Sequence, residues 1–124
     1  MNLVRQFRVD GAIPILQTYS LIQKVPNNPR YWKRYVELPD YNEVIRQTAQ
    51  KEGVILIDHD LHWRKEASDP EILAAWLGES IHPGAFGHLE MAKEIFRCLE
   101  IYDPEAECCH PSGIPWSIPP VFEP

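Results

Sequence analysis

The feature that most limits how this chain can fold is a run of four apolar residues, Val54-Ile55-Leu56-Ile57, directly behind Gly53. The run is too short for a helix and rich in β-branched side chains, so it reads as a strand buried on both faces. Before it the pattern is helical. Tyr41, Val44, Ile45, Thr48 and Ala49 recur at i, i+3, i+4, i+7 and i+8, with Asp40 and Glu43 as a capping pair at the start and Gly53 as the stop. Further upstream, Ala12-Ile13-Pro14-Ile15-Leu16-Gln17-Thr18 reads as a second short strand, with Pro14 confined to its beginning or to an unpaired position. Strand, helix, strand in that order implies a parallel pair with a right-handed crossover.

Residues 19 to 39 hold Pro26, Pro29 and Pro39 among Tyr31, Trp32 and Tyr35 and predict a long irregular connection with one short helical turn. Those aromatics either line an acyl or sugar pocket or pack the loop over the sheet. Asp58 to Ser68 reads as a polar loop. Asp69-Pro70-Glu71 then supplies a cap, an N1 proline and an acidic first turn for a short helix that Gly78 closes. Leu89, Ala92, Ile95, Phe96 and Leu99 mark a last helix, starting near Ala85, whose apolar stripe should pack on the sheet. From Tyr102 onward proline and glycine replace periodicity, so residues 102–124 are expected to be an extended tail pinned by Trp116 and Phe122.

Composition removes several classes of function. A chain of 124 residues with 44% hydrophobic content suits one domain with an ordinary core. Its net charge of -6 offers no broad basic surface, only the local cluster Arg30, Lys33 and Arg34, so nucleic acid is not an expected partner. Leu3, Val4 and Phe7 sit at helical spacing but are interrupted by Arg5, Arg8 and Asp10, which is not a signal peptide. No apolar run approaches the ~20 residues of a membrane span. The expectation is a soluble, cytoplasmic protein. Three cysteines, Cys98, Cys108 and Cys109, make no disulfide framework. Cys108-Cys109-His110 lacks a spaced second pair for a metal and reads as a reduced, partly exposed tail.

Chemistry concentrates in Glu79-Ser80-Ile81-His82-Pro83-Gly84-Ala85-Phe86-Gly87-His88. A carboxylate three residues before a histidine, on a loop that opens a helix, is two thirds of a hydrolytic triad. The acid accepts a hydrogen bond from one ring nitrogen, which fixes the tautomer and leaves the other nitrogen free to take a proton from a hydroxyl. Ligands of open α/β sheets sit outside the carboxyl ends of the strands, here Thr18-Tyr19-Ser20 and Asp58-His59-Asp60, and the Glu79 to Pro83 loop should share that rim.

Glu79-x-x-His82, followed in register by Pro83, Gly84, Gly87 and His88, resembles the C-terminal motif of the SGNH or GDSL-type hydrolases. The similarity extends through the Ile13 to Thr18 strand, Tyr41-Asn42, the Gly53 to Asp58 strand and the final helix, roughly residues 3 to 100. That resemblance implies an α/β chain with part of a flavodoxin-like three-layer α/β/α sandwich of parallel strands over residues 1–101. It also implies His82 as catalytic base, Glu79 as its orienting carboxylate, a carboxylic ester or acetylated carbohydrate as substrate, and no cofactor or metal. The chain departs from the family pattern in two ways. Glutamate stands where the family carries aspartate, and the Gly-Asp-Ser nucleophile motif, oxyanion-hole glycine and Gly-x-Asn-Asp motif have no match. These parts would precede residue 1, so the chain reads as the C-terminal half of such an enzyme, associating with the missing half or with itself.

Two serines near the site are weighed as substitutes: Ser80 lies too close in sequence to face His82, and Ser20 at a strand end is better placed. Neither stands in a nucleophile elbow. His88 reads as structural in the first turn of the last helix. His59 and His62 are candidate metal ligands without a third partner and read as solvated side chains. The alternative function is a non-catalytic binding or interaction module that keeps the scaffold, since two strands alone leave unpaired edges for another chain.

Overall fold

The computed structural model describes residues 3–110. Over these residues the fold is α/β, mostly helical, with two short parallel strands. In chain order the elements are α1 (Leu3–Val9), β1 (Ile15–Gln17), α2 (Pro29–Glu52), β2 (Ile55–Ile57), α3 (His59–Glu66), α4 (Pro70–Trp76) and α5 (Ala85–Cys98), followed by a 3-10 turn at Glu107–Cys109. The tail anchors Trp116 and Phe122 lie outside the described residues.

The two strands pair in parallel, with Ile15 opposite Ile55, Leu16 opposite Leu56 and Gln17 opposite Ile57. The connection between them is α2, which packs against both strands, while α5 packs against β2. The Gly53 stop is realised as a left-handed cap, φ 59°, whose N–H reaches back to the carbonyls of Ala49 and Gln50. The expected burial of the second strand on both faces is not met. Ile57 is 1% exposed but Ile55 is 41% exposed, because a two-stranded sheet leaves the amino end of β2 uncovered.

Helix α2 corrects the reading of residues 19 to 39. It begins at Pro29 rather than after Asp40: the Asn28 side chain accepts hydrogen bonds from the N–H groups of Arg30 and Tyr31, and Pro29 occupies the first helical position. Pro39 sits inside the helix, and Asp40 is an interior residue rather than a cap. An interior proline costs about 3 kcal/mol against alanine, which is why it reads as a break. Packing of the long helix on both strands outweighs that local cost.

Helix α3 corrects the polar loop assigned to Asp58 to Ser68. Asp58 caps it by accepting from the N–H of Leu61, and His59, Asp60 and Trp63 are buried along it. Trp63, wholly buried, meets Trp76 edge to face at 5.1 Å between ring centroids. Helix α4 follows its sequence signals, with Asp69 accepting from the N–H of Glu71 and Pro70 behind it. It ends at Trp76, just short of Gly78. In the C-terminal part Cys108 is exposed, whereas Cys109 is 4% exposed because its turn packs on α5. Among the described residues no helix is long and apolar enough to cross a membrane.

Candidate active site at the carboxyl end of the strands

The loop from Leu77 to Gly84 is closed on itself. Leu77 and Pro83 form an isolated antiparallel bridge, the N–H of Gly78 donates to the carbonyl of His82 at 2.9 Å, and the N–H of Gly84 donates to that of Trp76 at 2.8 Å. The closure depends on missing side chains: a Cβ on Gly84 would stand 2.9 Å from the amide nitrogen of Gly78. Within this ring of backbone, Nδ1 of His82 hydrogen-bonds Oε1 of Glu79. An ionised carboxylate only accepts, so Nδ1 carries the proton and Nε2 is left as the basic nitrogen. Among the described residues no hydrogen bond engages that nitrogen.

Loop and strand end are tied together. The N–H of Gln23 donates to the carbonyl of Ser80 at 2.8 Å, which fixes the segment after β1 to the segment carrying Glu79 and His82. Asn42, fully buried in the middle of α2, accepts from the N–H of Tyr19 at 2.9 Å and donates to its carbonyl at 3.2 Å. Thr18 donates to Asp58 at 3.1 Å and accepts from the N–H of Asp60 at 3.0 Å, locking the carboxyl ends of β1 and β2 together. The rim is therefore held by side chains from several elements rather than by the sheet ladder alone.

A groove of about 1010 Å³ opens at this rim, with Thr18, Tyr19 and Ser20 from the strand end, Arg30, Arg34 and Leu38 from α2, and His82 and His88 among its walls. Ser20 thus shares the groove with His82 and is 7% exposed, while Ser80 lies outside the lining. His88 keeps its place in the first turn of α5, its N–H bonded to the carbonyl of Gly84, and also faces the groove. Tyr31, Trp32 and Tyr35 do not line it. Trp32 and Tyr35 stack on each other at 5.7 Å along α2.

Exposure decides what the Glu79–His82 pair can do alone. The histidine side chain is 69% and the glutamate 54% exposed, so the two are joined in contact with water rather than in a dry pocket. Such a pair contributes only about 0–1 kcal/mol. A covering segment that excluded solvent would strengthen it, as electrostatic catalysis requires.

The charges behind the rim belong to the scaffold. Arg46 donates to Asp58 at 2.7 and 2.9 Å and to Asp60 at 2.7 Å, and Arg64 completes the cluster with 3.0 Å contacts to Asp60. Burial raises the pKa of the Asp58 carboxyl, and the hydrogen bonds from Arg46, Leu61 and Thr18 outweigh it, leaving the group below the ordinary carboxylate value. His59 and His62, read from sequence as solvated, are the opposite. His59 is wholly buried with Nε2 2.9 Å from Oε1 of Gln17, and burial lowers its pKa. His62 lies 3.7 Å from Glu90 and 3.5 Å from Glu94 and stacks on Trp76. Among the described residues no group of three or more His, Cys, Asp or Glu side chains is placed to hold a metal ion.

Sequence reasoning missed Asn42 as an anchor of the rim and Arg46 as its central cation. No local signal marked Asn42: the periodic stripe turned Tyr41 and Val44 inward, whereas they are 58% and 61% exposed and Asn42 is the buried side chain. No family model, curated protein or solved structure matches the chain.

Proposed function

We propose that this chain carries the histidine and carboxylate of an ester hydrolase of the SGNH type, acting on a carboxylic ester or an acetylated carbohydrate. His82 is the general base, oriented by Glu79. The serine nucleophile and the oxyanion donors come from a further polypeptide segment that adds to the sheet and completes a flavodoxin-like three-layer sandwich. One observation carries the reading: Nδ1 of His82 is engaged by Glu79 while Nε2 remains available, on a loop tied to the carboxyl end of β1. The need for an added segment is supported by the strands, each paired along one edge only among the described residues, and by Ile13 and Ile15, which are 82% and 37% exposed.

In this reading Nε2 of His82 accepts the serine proton as the oxygen attacks the ester carbonyl, and the proton passes to the alkoxide that leaves. Water then attacks the acyl-enzyme by the same route. The Glu79 carboxylate holds the Nδ1–H tautomer and stabilises the imidazolium formed in each half-reaction. The test is hydrolysis of p-nitrophenyl acetate by the chain together with the polypeptide encoded directly upstream of Met1. His82→Ala should lower kcat by about a thousandfold or more. Equal rates for the two proteins refute the role.

A non-catalytic interaction module is the second reading, favoured by the same exposed apolar residues, Ile13 just before β1 and Ile15 within it. Tight association with the upstream polypeptide, combined with indifference to His82→Ala, would decide for it.

A further inference from the structure

The paired and unpaired arginines of this chain are not scattered alike. Arg5 is bonded to Glu52, Arg46 to Asp58, Arg64 to Asp60 and Arg97 to Glu94. Arg8 donates to the carbonyl of Gly53. Arg30 and Arg34 are different: among the described residues no carboxylate or carbonyl engages either guanidinium. Both lie on the groove wall, one turn apart at the start of α2, with Lys33 beside them. Carboxylates outnumber cationic side chains here by 18 to 12, so partners for these two arginines were not scarce. Glu37, the acidic side chain of that wall, lies 3.8 Å from Lys33 instead.

We infer that the groove beside His82 takes an ester bearing an anionic group, a carboxylate or a phosphate, with Arg30 and Arg34 as the side chains that hold the anion. A guanidinium presents two parallel N–H donors that match either oxyanion, which a lysine ammonium does not. Ile22, Leu38 and Met91 line the groove as well and give the aliphatic part of such a molecule an apolar wall. The identity of the reacting bond rests on the hydrolase reading above; the anion subsite rests on the groove alone.

The test is an NMR titration of the full 124-residue chain at low salt. The probes are monomethyl glutarate and 1-acetylglycerol 3-phosphate, each against its neutral counterpart, dimethyl glutarate and 1-acetylglycerol. The two exposed cations together should favour the anionic probes by about tenfold in Kd. Shifts should centre on Arg30, Arg34 and His82, and the preference should shrink as salt is added. The two anionic arms show whether carboxylate or phosphate is the better ligand. Equal affinity for anionic and neutral probes, or a preference that survives in Arg30→Gln/Arg34→Gln, overturns the inference. So does a preference on the unmodified chain that salt leaves unchanged, a readout that does not rely on the variant. Anion preference without hydrolysis in the presence of the upstream polypeptide would refute the hydrolase reading and leave the subsite standing. Hydrolysis with no preference for anionic esters would do the reverse.

Discussion

Replacing Gly87 by alanine tests the packing that carries the His82 loop, and the structure reverses the sign that helix propensity alone would give. Gly87 lies in the first turn of α5, where alanine is ordinarily favoured over glycine by about 1 kcal/mol. Here an added Cβ would stand 2.2 Å from the carbonyl oxygen of Trp76, 2.9 Å from the Trp63 ring and 3.1 Å from Cβ of Pro83. The first of these contacts is the hardest to relax. It is backbone, and the same oxygen accepts the Gly84 N–H that closes the loop. Overpacking of this kind costs about 3 kcal/mol, the upper part of its usual range, so the net loss after the propensity gain is about 2 kcal/mol. For a chain of this size that lowers Tm by roughly 8 °C. Thermal unfolding followed by circular dichroism reads it directly, and amide shifts from Leu77 to Gly84 should move most. A variant as stable as the parent, or more so, would show that α5 does not lie flush on Trp63 and Trp76.

Arg46→Met should cost about 3 kcal/mol in urea unfolding, because it strips Asp58 of its ion pair and leaves Asp60, 3% exposed in its side chain, with Arg64 alone. A loss within the roughly ±0.5 kcal/mol of an ordinary surface change would contradict the cluster. Two groups behind the rim contribute to the pH dependence, and both lower stability on the acid side. His59 has a folded pKa below its usual 6.5, so the unfolded chain binds the extra proton; the stability it contributes is complete above 6.5 and declines as pH falls through the folded value. His59→Gln should flatten the slope that sets in as pH falls below 6.5, and an unchanged slope would count against burial as its cause. Asp58, also depressed, contributes above its usual 3.8 and loses that contribution as pH falls further; Arg46→Met removes the main group that depresses it, so this second, more acidic decline should shrink in the same pH series, and a decline as large as the parent's would contradict Arg46 as its cause.

The parts legible in the sequence were those whose signal lies within a few residues. Gly53 and the apolar run behind it marked the turn into β2, Asp69-Pro70-Glu71 marked α4, and the stripe from Leu89 to Leu99 marked α5. The start of α2 was also written locally, in Asn28 and Pro29, but three prolines and the capping pattern at Asp40 outweighed it. Helix α3 was hidden for another reason. His59, Asp60, Arg64 and Lys65 make it look solvated, and the partners that let His59 and Asp60 be buried stand elsewhere in the chain.

Sequence by itself determined the parallel strand–helix–strand unit and the Glu79–His82 spacing, because periodicity, caps and a three-residue separation act along the chain. Tertiary structure alone decided that Gln17 meets His59 across 42 residues, that Arg46 meets Asp58 and Asp60, and that Arg30 and Arg34 face the groove of His82 without acidic partners among the described residues. A polar side chain carries no mark of whether it will be solvated or buried. That choice depends on which distant group arrives to satisfy it, and the cost of leaving it unsatisfied makes the arrival decisive.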